Sequence, residues 1–483
     1  MSFVQNFRRP RGLLALLASV PLAATPLAAQ RVVAASAAAP APKTVVRPDY
    51  KNLRFEETWL PANRSGAWDD AIKAIPVWRN HPLQLTIGGQ ARWRQEFVRA
   101  FNLTAQNDDY SQSRLLLSAD LLAGDRKRSY ARGFAEARDA QSYGRTLPGG
   151  ARPNDADRHD VQNAFLEAGH SRSFVRYGRQ EVAVGRERLV GVPDWSNTRR
   201  GSQGLRAQLT ARSIAVELLD VRPMIMRQEL ANRADSTTHL RSVLVGSATG
   251  AKAIASFVPS LWQVYRHDQR VLSPASNVRR VTTGARAQWQ WGARIARSIE
   301  VEGASQSGFA AQRRLDAWFW VAEAQQQWKR VHGAPGVTLG IEEASGDRAS
   351  TTTRAEAFST LFPAAHAHGG YADVFGRANL REWHAIATWL PVPSIDLRLA
   401  AYRFDRRRTD DGVWTKTNTV FRAAGTSAAR HVGDEFDLTG TWKQSRHLRF
   451  IFGGAVVPPG AFLRDTGAAH TERWAFAGST FTF

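Results

Sequence analysis

The chain ends Trp474-Ala-Phe476-Ala-Gly-Ser-Thr-Phe481-Thr-Phe483, a stretch in which aromatic residues recur two positions apart and in which the last residue is aromatic. A period of two predicts a β-strand. A terminal strand of this kind is typical of bacterial outer-membrane β-barrels, in which it pairs with the first strand and closes the wall. A soluble protein can also end on phenylalanine by chance, so the assignment as a membrane barrel depends on the rest of the chain.

The N-terminus predicts export. Residues 1–29 have a basic start and then an apolar run that is broken by Pro21 and Pro26 and ends in small residues. This pattern is typical of a cleaved signal peptide rather than of a membrane anchor. Residues 30–48 are rich in Ala and Pro and predict a flexible leader. No later stretch offers about 18 consecutive apolar residues, so no transmembrane helix is expected.

The composition suits a membrane barrel. Among 483 residues there is no cysteine, so disulfides and thiolate metal sites are excluded. Hydrophobic residues make up 43% of the chain, yet the mean hydropathy is −0.37. A barrel gives this mixture because one face of each strand meets lipid and the other meets a wet lumen. The 16 Trp and 23 Phe suit two interfacial girdles. A large secreted all-β protein is the alternative.

The chain is strongly basic, with a formal net charge of +22 that falls to +19 when the three arginines of the signal peptide are subtracted. Arginine supplies most of the positive charge, and its guanidinium group pairs bidentately with carboxylates and phosphates. In an exported protein these groups could bind lipopolysaccharide phosphates on the outer surface or an anionic solute in the lumen. A codon bias toward arginine explains the same count. Nucleic acid is not expected as a partner.

The chain divides into a short periplasmic element, residues 49–80, and a region of strands, residues 81–483. The first strand segment places Trp93 and Phe97 on one face and Arg92, Arg94 and Glu96 on the other. No long helix is expected after residue 81. At roughly 22 residues per strand and connection, the region predicts about 18 antiparallel strands. A β-sandwich shows the same alternation, but segments near the ten residues needed to cross a bilayer favour the membrane.

Motifs spread over almost the whole mature chain include Tyr50-Lys-Asn-Leu-Arg-Phe-Glu-Glu-Thr-Trp59, Leu85-Thr-Ile-Gly-Gly-Gln-Ala-Arg92, Tyr177-Gly-Arg179-Gln180-Glu181, Arg188-Leu-Val-Gly191, Leu361-Phe-Pro-Ala-Ala-His366 and Val432-Gly-Asp-Glu435-Phe-Asp437-Leu. In their order and spacing they resemble the alginate export family of outer-membrane porins. The resemblance implies a single transmembrane β-barrel of 18 strands with a charged lumen, which passes the polyuronate alginate across the outer membrane by passive diffusion or by a push from periplasmic machinery.

A polymer with one carboxylate per sugar needs several weak cationic sites, because one tight site would stop conduction. By resemblance, Arg92, Glu167 and Arg179 fall on or near lumen positions of the family, and acidic residues would hold the arginines extended. The predicted lumen set is Arg92, Arg94, Glu96, Glu136, Asp139, Glu167, Arg179 and Arg398. The structural alternative for each is an inward Arg–Glu pair that fills the lumen and keeps the wall round.

Other solutes and other functions stay open. The segment Leu448-Arg-Phe-Ile-Phe-Gly453 departs from the family, because it has aromatic residues where the family has arginine. Other sugars or small anions are therefore alternative solutes, and uptake is an alternative direction of transport. A barrel hydrolase lacks a Gly-x-Ser-x-Gly elbow, and a plugged structural barrel is a third possibility. His366 and His368 predict loop residues rather than metal ligands. We expect no cofactor, a monomer, and lipid, lipopolysaccharide and periplasmic export machinery as partners.

Overall fold

The computed structural model describes residues 46–78, 82–147, 149–247, 278–350, 353–364 and 366–483, and the backbone of 257–268. The predicted signal peptide, residues 1–29, and most of the predicted leader lie outside the described residues. Among the described residues, no helix is long and apolar enough to cross a bilayer.

The described residues form eighteen long strands, which we number in chain order. They are β1 Leu83–Arg99, β2 Asp108–Gly124, β3 Ser129–Tyr143, β4 Asp157–His170, β5 Ser173–Gln180, β6 Ser202–Ala211, β7 Ile214–Ile225, β8 Thr238–Ser247, β9 Phe257–Asp268, β10 Val278–Trp291, β11 Ile295–Ala310, β12 Arg313–Trp328, β13 Gly336–Ala344, β14 Leu380–Val392, β15 Ile395–Arg406, β16 His431–Lys443, β17 Leu448–Val457 and β18 Glu472–Thr482.

Short elements lie before and between these strands. Two-residue or three-residue strands are Ile75–Pro76, Arg233–Ala234, Arg354–Ala355, Val413–Trp414 and Val420–Arg422. The 3-10 helices are Arg54–Glu56, Pro61–Asn63, Trp68–Ile72 and Phe101–Leu103, and α1 is Ala461–Asp465. The all-β, antiparallel architecture predicted from the sequence is confirmed, because every pairing between the long strands is antiparallel.

Each long strand pairs with the next along the chain, and β18 pairs with β1 from Gln90↔Thr482 to Arg99↔Arg473. The ladder therefore returns to the strand where it began. Most connections alternate in length: one end has short turns such as 171–172, 212–213 and 393–394, and the other end has long loops such as 181–201, 345–379 and 407–430, with the two-residue connection 311–312 as an exception. Outer-membrane barrels have short periplasmic turns and long extracellular loops.

On this wall the charged side chains are buried and the large apolar side chains are exposed, which is the reverse of a soluble protein. On β1, Arg94 and Glu96 are 2% and 1% exposed, whereas Trp93 and Phe97 are 47% and 46% exposed. Charged side chains are rarely buried in a soluble protein unless they are paired, and a continuous exposed apolar surface marks contact with a partner or a membrane. The outward face of this wall is therefore built for lipid and the inward face for charge.

Exposed aromatic side chains lie in two bands on the outward face. Near the short turns they are Trp289, Trp291, Trp389, Trp442, Phe452 and Phe481, and in the halves of the strands nearer the loops they are Trp93, Phe97, Tyr143, Tyr177, Phe309, Trp383 and Phe436. Aromatic girdles of this kind sit at the two membrane–water interfaces of outer-membrane barrels.

The aromatic residues of the last strand divide between the two faces. Trp474 and Phe476 are buried on the inward side, whereas Phe481 is 39% exposed on the outward side. Beyond the strand, Phe483 exchanges backbone hydrogen bonds of 2.9 and 3.0 Å with Gly89. Its ring covers Gly89, where an added Cβ would lie 2.5 Å from Phe483 Cζ. The last residue of the chain thus completes the pairing with β1.

We predict that Gly89→Ala weakens this closing contact, because overpacking costs about 1–3 kcal/mol. The folded fraction after refolding in detergent, read from heat-modifiable migration on gels, should fall. Gly133→Ala on β3 is the matched control, since its Cβ would meet only Leu166 Cδ2, at 3.7 Å. Adding Phe483→Ala to Gly89→Ala should restore part of the loss. Equal folding of the two single variants would contradict the prediction.

Candidate solute path through the lumen

A long loop, residues 181–201, lies on the inward side of the wall and is called the lumen loop. Arg92 donates to the backbone oxygens of Asp194 and Trp195 at 2.6 and 3.3 Å. Arg94 donates to the same Trp195 oxygen at 2.8 Å. Arg114 reaches the Asp194 carboxylate at 2.8 Å. Three inward arginines of β1 and β2 therefore hold one side of the loop.

The other side of the lumen loop is fixed by Arg188. This side chain is 1% exposed and pairs with Glu300 and Glu302 at 3.1 Å each and with Glu323 at 2.7 Å. These glutamates lie on β11 and β12, about half a turn of the ladder from β1. The lumen loop therefore crosses from one wall to the other and narrows any passage.

A second loop, residues 345–379, joins the lumen loop and is called the cap loop. Gly191 N donates to Phe362 O at 2.8 Å, Phe362 N to Leu189 O at 2.6 Å, and Ala364 N to Glu187 O at 3.2 Å. These hydrogen bonds satisfy backbone groups that would otherwise be unpaired inside the wall. The two loops thus behave as one small sheet across the lumen.

Trp195 is the aromatic centre of the lumen loop. Its ring lies 5.3 Å from Trp474, 4.7 Å from Phe476 and 5.2 Å from Tyr371, measured between centroids. The guanidinium of Arg94 lies 3.9 Å from the same ring, within the range of a cation–π contact. The lumen loop therefore packs on the inward aromatic residues of β18.

Residues near the N-terminus enter the lumen from the short-turn end. Phe55 packs edge-on against the inward rings of Phe134 and Phe165, with centroids 5.8 and 5.5 Å apart. Its backbone oxygen accepts from Arg132 at 2.7 Å. Arg199 of the lumen loop donates to Asn52 O at 2.6 Å. The segment predicted as a periplasmic element thus meets the lumen loop inside the wall, on the side of β1 to β5.

Six of the eight predicted lumen residues face inward. They are Arg92, Arg94, Glu96, Glu136, Glu167 and Arg398. Five of these six are nearly fully buried; Glu136, for example, accepts from Asn163 at 3.0 Å and Arg199 at 3.2 Å. Arg398 differs, because its side chain is 27% exposed. It therefore borders open space.

The prediction that Asp139 and Arg179 face the lumen is wrong, because strand alternation puts both side chains on the outward face. Asp139 follows the buried Arg138 and contacts His159 at 3.0 Å. Arg179 shares its face with the exposed Tyr177 and donates to Val161 O at 2.6 Å. A motif does not specify strand register, and a shift of one residue moves a side chain to the other face.

The structure also explains the departure at residues 448–453. Phe452 is 41% exposed on the outward face, and Phe450 stacks on Trp442 with centroids 5.2 Å apart. Arg449 has the inward parity of β17 and is opposite Thr480. The aromatic residues thus belong to the lipid face, and one arginine remains on the lumen face.

Sequence reasoning missed three arginines that organise the lumen: Arg114, Arg188 and Arg199. Arg188 stood in a motif that carried the family resemblance, but its partners are more than 100 residues away. In the part of the chain that the structure describes, no group of three or more His, Asp or Glu is placed to hold a metal. His366 packs on Trp195, and burial lowers its pKa.

The model of the alginate export family matches residues 83–476. The chain belongs to this family. Among solved structures it is similar to OccD3 (OpdP) of Pseudomonas aeruginosa, at TM-score 0.57 and 12% identity over 82% of this chain and 91% of that chain. It is also similar to OccAB4 of Acinetobacter baumannii, at TM-score 0.55 and 8% identity over 82% and 98%.

The outer membrane protein OpdK of Pseudomonas aeruginosa gives TM-score 0.55 and 10% identity over 82% of this chain and 99% of that chain. No curated protein matches the sequence. The membership in the alginate export family and the porin fold identify an outer-membrane β-barrel protein, as the sequence predicted.

We predict that R92Q/R94Q loosens the lumen loop of this alginate export family member. Each charged hydrogen-bonding group is worth about 1.5–3 kcal/mol, so single-channel conductance in planar bilayers should rise and fluctuate more. R99Q is the control on the same strand, since Arg99 is 49% exposed and pairs with Asp109. An unchanged conductance with reduced anion preference would instead mean that Arg92 and Arg94 contact the solute.

We predict that anion preference rises as pH falls through 7. Burial raises the pKa of Glu181, a lumen-loop residue 2.8 Å from Arg199, to about 7, and the nearby Glu136 adds to the rise. Because this pKa lies above its ordinary value, the native chain takes up the proton first, and stability rises as pH falls from 7 toward 4.5. Protonated Glu181 no longer neutralises part of the Arg199 charge, so the lumen loop becomes more positive and favours anions.

Reversal potentials at pH 8 and pH 6 measure this effect. The anion-to-cation permeability ratio of the wild type should increase roughly twofold, a fraction of the interaction of one unit charge. E181Q should hold the acid value at both pH values. A wild-type ratio that does not change with pH would contradict the assignment.

Proposed function

We propose that the protein is a closed barrel of eighteen strands that passes an anionic oligosaccharide or polysaccharide, of the alginate-like polyuronate class, by passive diffusion. The return of the ladder from β18 to β1 supports closure. Membership in the alginate export family supports the solute class. The family and the porin fold point to a channel rather than to an enzyme.

We place the path on the side of the lumen away from β1 to β5. The N-terminal segment and the buried arginines of β1 to β3 fill the near side. On the far side, inward side chains stay exposed, among them Gln290 of β10 and Gln325 of β12. Arg398 on β15 and Arg186 of the lumen loop border the same side, with side chains 27% and 50% exposed.

The observation that carries the proposal is the incomplete pairing of these exposed arginines. Arg398 lies 3.7 Å from Asp437 and donates to the neutral Tyr402 hydroxyl, and Arg186 lies 3.4 Å from Glu300. Buried arginines such as Arg188 have shorter contacts to several carboxylates. A partly paired arginine holds a passing carboxylate weakly, and several weak sites are what conduction requires. Arg92, Arg94, Glu96, Glu136 and Glu167 then frame the path.

The exposed glutamines support a second candidate, a porin for other sugars or small anions, in either direction. Amide side chains donate and accept hydrogen bonds, so Gln290 and Gln325 suit sugar hydroxyls as well as they suit a uronate. As partners we propose outer-membrane lipid, lipopolysaccharide and periplasmic export machinery, and we propose that the protein acts as a monomer.

We predict that R398Q lowers the anion-to-cation permeability ratio roughly two- to fivefold, since a unit charge at 4 Å in water is worth about 1 kcal/mol. R403Q on the same strand is the control, because Arg403 has the outward parity and its side chain is 55% exposed. Reversal potentials under a salt gradient measure the ratio. If R398Q kept the wild-type ratio, Arg398 would be removed from the path.

The solute class is tested by efflux from proteoliposomes loaded with uronate oligomers or with neutral sugars of equal size. A polyuronate channel should release the uronates faster, and R398Q should narrow the difference. Equal rates would favour the second candidate. Absence of both efflux and conductance would mean a plugged barrel and would overturn both proposals.

A further inference from the structure

A cavity of about 620 Å³ lies at the loop end of β13, β14 and β15, and we call it the outer cavity. Five arginines line it: Arg381, Arg406, Arg407, Arg408 and Arg430. Three carboxylates also line it, those of Glu343, Asp405 and Asp410. The lining therefore carries two positive charges in excess.

The outer cavity opens on the lipid-facing side of the wall, not into the lumen. Glu343, Arg381 and Asp405 have the outward parity of their three strands and are opposite one another in the ladder. The next outward residue of β14 is Trp383, 48% exposed, about 7 Å along the strand. An exposed tryptophan marks the membrane–water interface, so the cavity lies just above the apolar band.

An apolar groove continues from the outer cavity along the same three strands, and we call it the outer groove. It has a volume of about 670 Å³. The outward residues that line it are mostly apolar and include Leu339 and Ile341 of β13, Trp383 and Ala385 of β14, and Ala401 of β15; Arg403 and Asp434 are its charged outward members. In the ladder, Ile341 pairs with Trp383 and Ala385 with Ala401. Cavity and groove are therefore successive steps down one outward surface.

The arginines of the outer cavity keep donors free for a ligand. Arg407 donates through Nε to Glu343 at 3.0 Å and stacks 4.8 Å from the Trp318 ring. Toward the described residues, its two terminal nitrogens make no hydrogen bond. Arg381 uses Nε and one terminal nitrogen on Glu343, at 3.2 and 3.1 Å. These side chains are 34% and 46% exposed, so solvent and lipid headgroups reach them.

Arg406 has a different task, because its guanidinium is buried. It donates to the backbone oxygens of Thr409 and Asp411 on one side and of Ser427 and Ala429 on the other. Its plane lies 3.7 Å from the Phe462 ring. Arg406 therefore fixes the loop that carries Arg407, Arg408 and Asp410, and the wall of the outer cavity is rigid on that side.

We propose that the outer cavity and the outer groove together bind one phosphorylated glycolipid of the outer leaflet, with a phosphate among the arginines and an acyl chain in the groove. Phosphate monoesters carry close to two negative charges, and planar guanidinium groups bind their oxygens in pairs. A free anion would bind only in the outer cavity, whereas a phosphorylated lipid would bind its phosphate in the cavity and its acyl chain in the groove. The site lies outside the lumen and does not depend on the solute of the channel.

The test uses the full-length protein in detergent and in nanodiscs, with bisphosphorylated lipid A as the probe. Native mass spectrometry should show one retained lipid A, and R381Q/R407Q should weaken its binding roughly tenfold or more, since charged hydrogen bonds are lost. R241Q is the matched control. Arg241 is an outward arginine at the loop end of β8, 58% exposed, and it pairs with one carboxylate, that of Asp220.

The groove is tested by Ala385→Trp, which should weaken lipid A binding while inorganic phosphate binding stays as in the wild type. Heat-modifiable migration and conductance should be unchanged in all variants, which separates this site from the channel. Equal lipid A binding by R381Q/R407Q and the wild type would overturn the proposal. So would equal binding of dephosphorylated lipid A, or phosphate binding with no preference for the lipid.

Discussion

The pairing of the last strand with the first is the constraint on which the rest of this structure depends. In lipid, an unpaired backbone N–H or C=O costs several kcal/mol, so a wall facing acyl chains has to leave no open edge. Here the ladder of β18 on β1 continues beyond the strand to Phe483 and Gly89. Gly89 has no side chain, and this lets the terminal ring pack against the backbone of β1 where the ladder ends.

The inward face of the wall holds many arginines in an interior where charge is costly, and their partners follow from that cost. A buried ion leaves water at a penalty of several kcal/mol unless carboxylates or dipoles compensate it. Arg92 is compensated mainly by backbone oxygens of the lumen loop, and Arg188 by three glutamates. The arginines therefore decide where the loops lie, and the loops in turn supply the dipoles that make the buried arginines tolerable.

The sequence predicted the strands because a period of two is a local property: Arg92 and Trp93 occupy the faces expected of them. From length alone it predicted about 18 strands in the barrel. It failed for Asp139 and Arg179, because a motif does not fix which face a strand presents. It also did not show the lumen loop, since the contact of Arg92 with Asp194 spans 102 residues and no local pattern encodes it.

The two halves of the interior consequently have different roles. Phe55, Arg132 and the lumen loop fill the side of β1 to β5, where Phe55 packs on Phe134 and its backbone oxygen accepts from Arg132. On the far side, Arg398 keeps more than a quarter of its side chain exposed, and the inward Gln290 and Gln325 are exposed as well. A solute that needs weak and repeated contacts finds them only where pairing is incomplete. Direct contact with the solute should therefore fall to the less buried residues, and the buried ones, many of which the family resemblance singled out, should set the width of the path and its background charge.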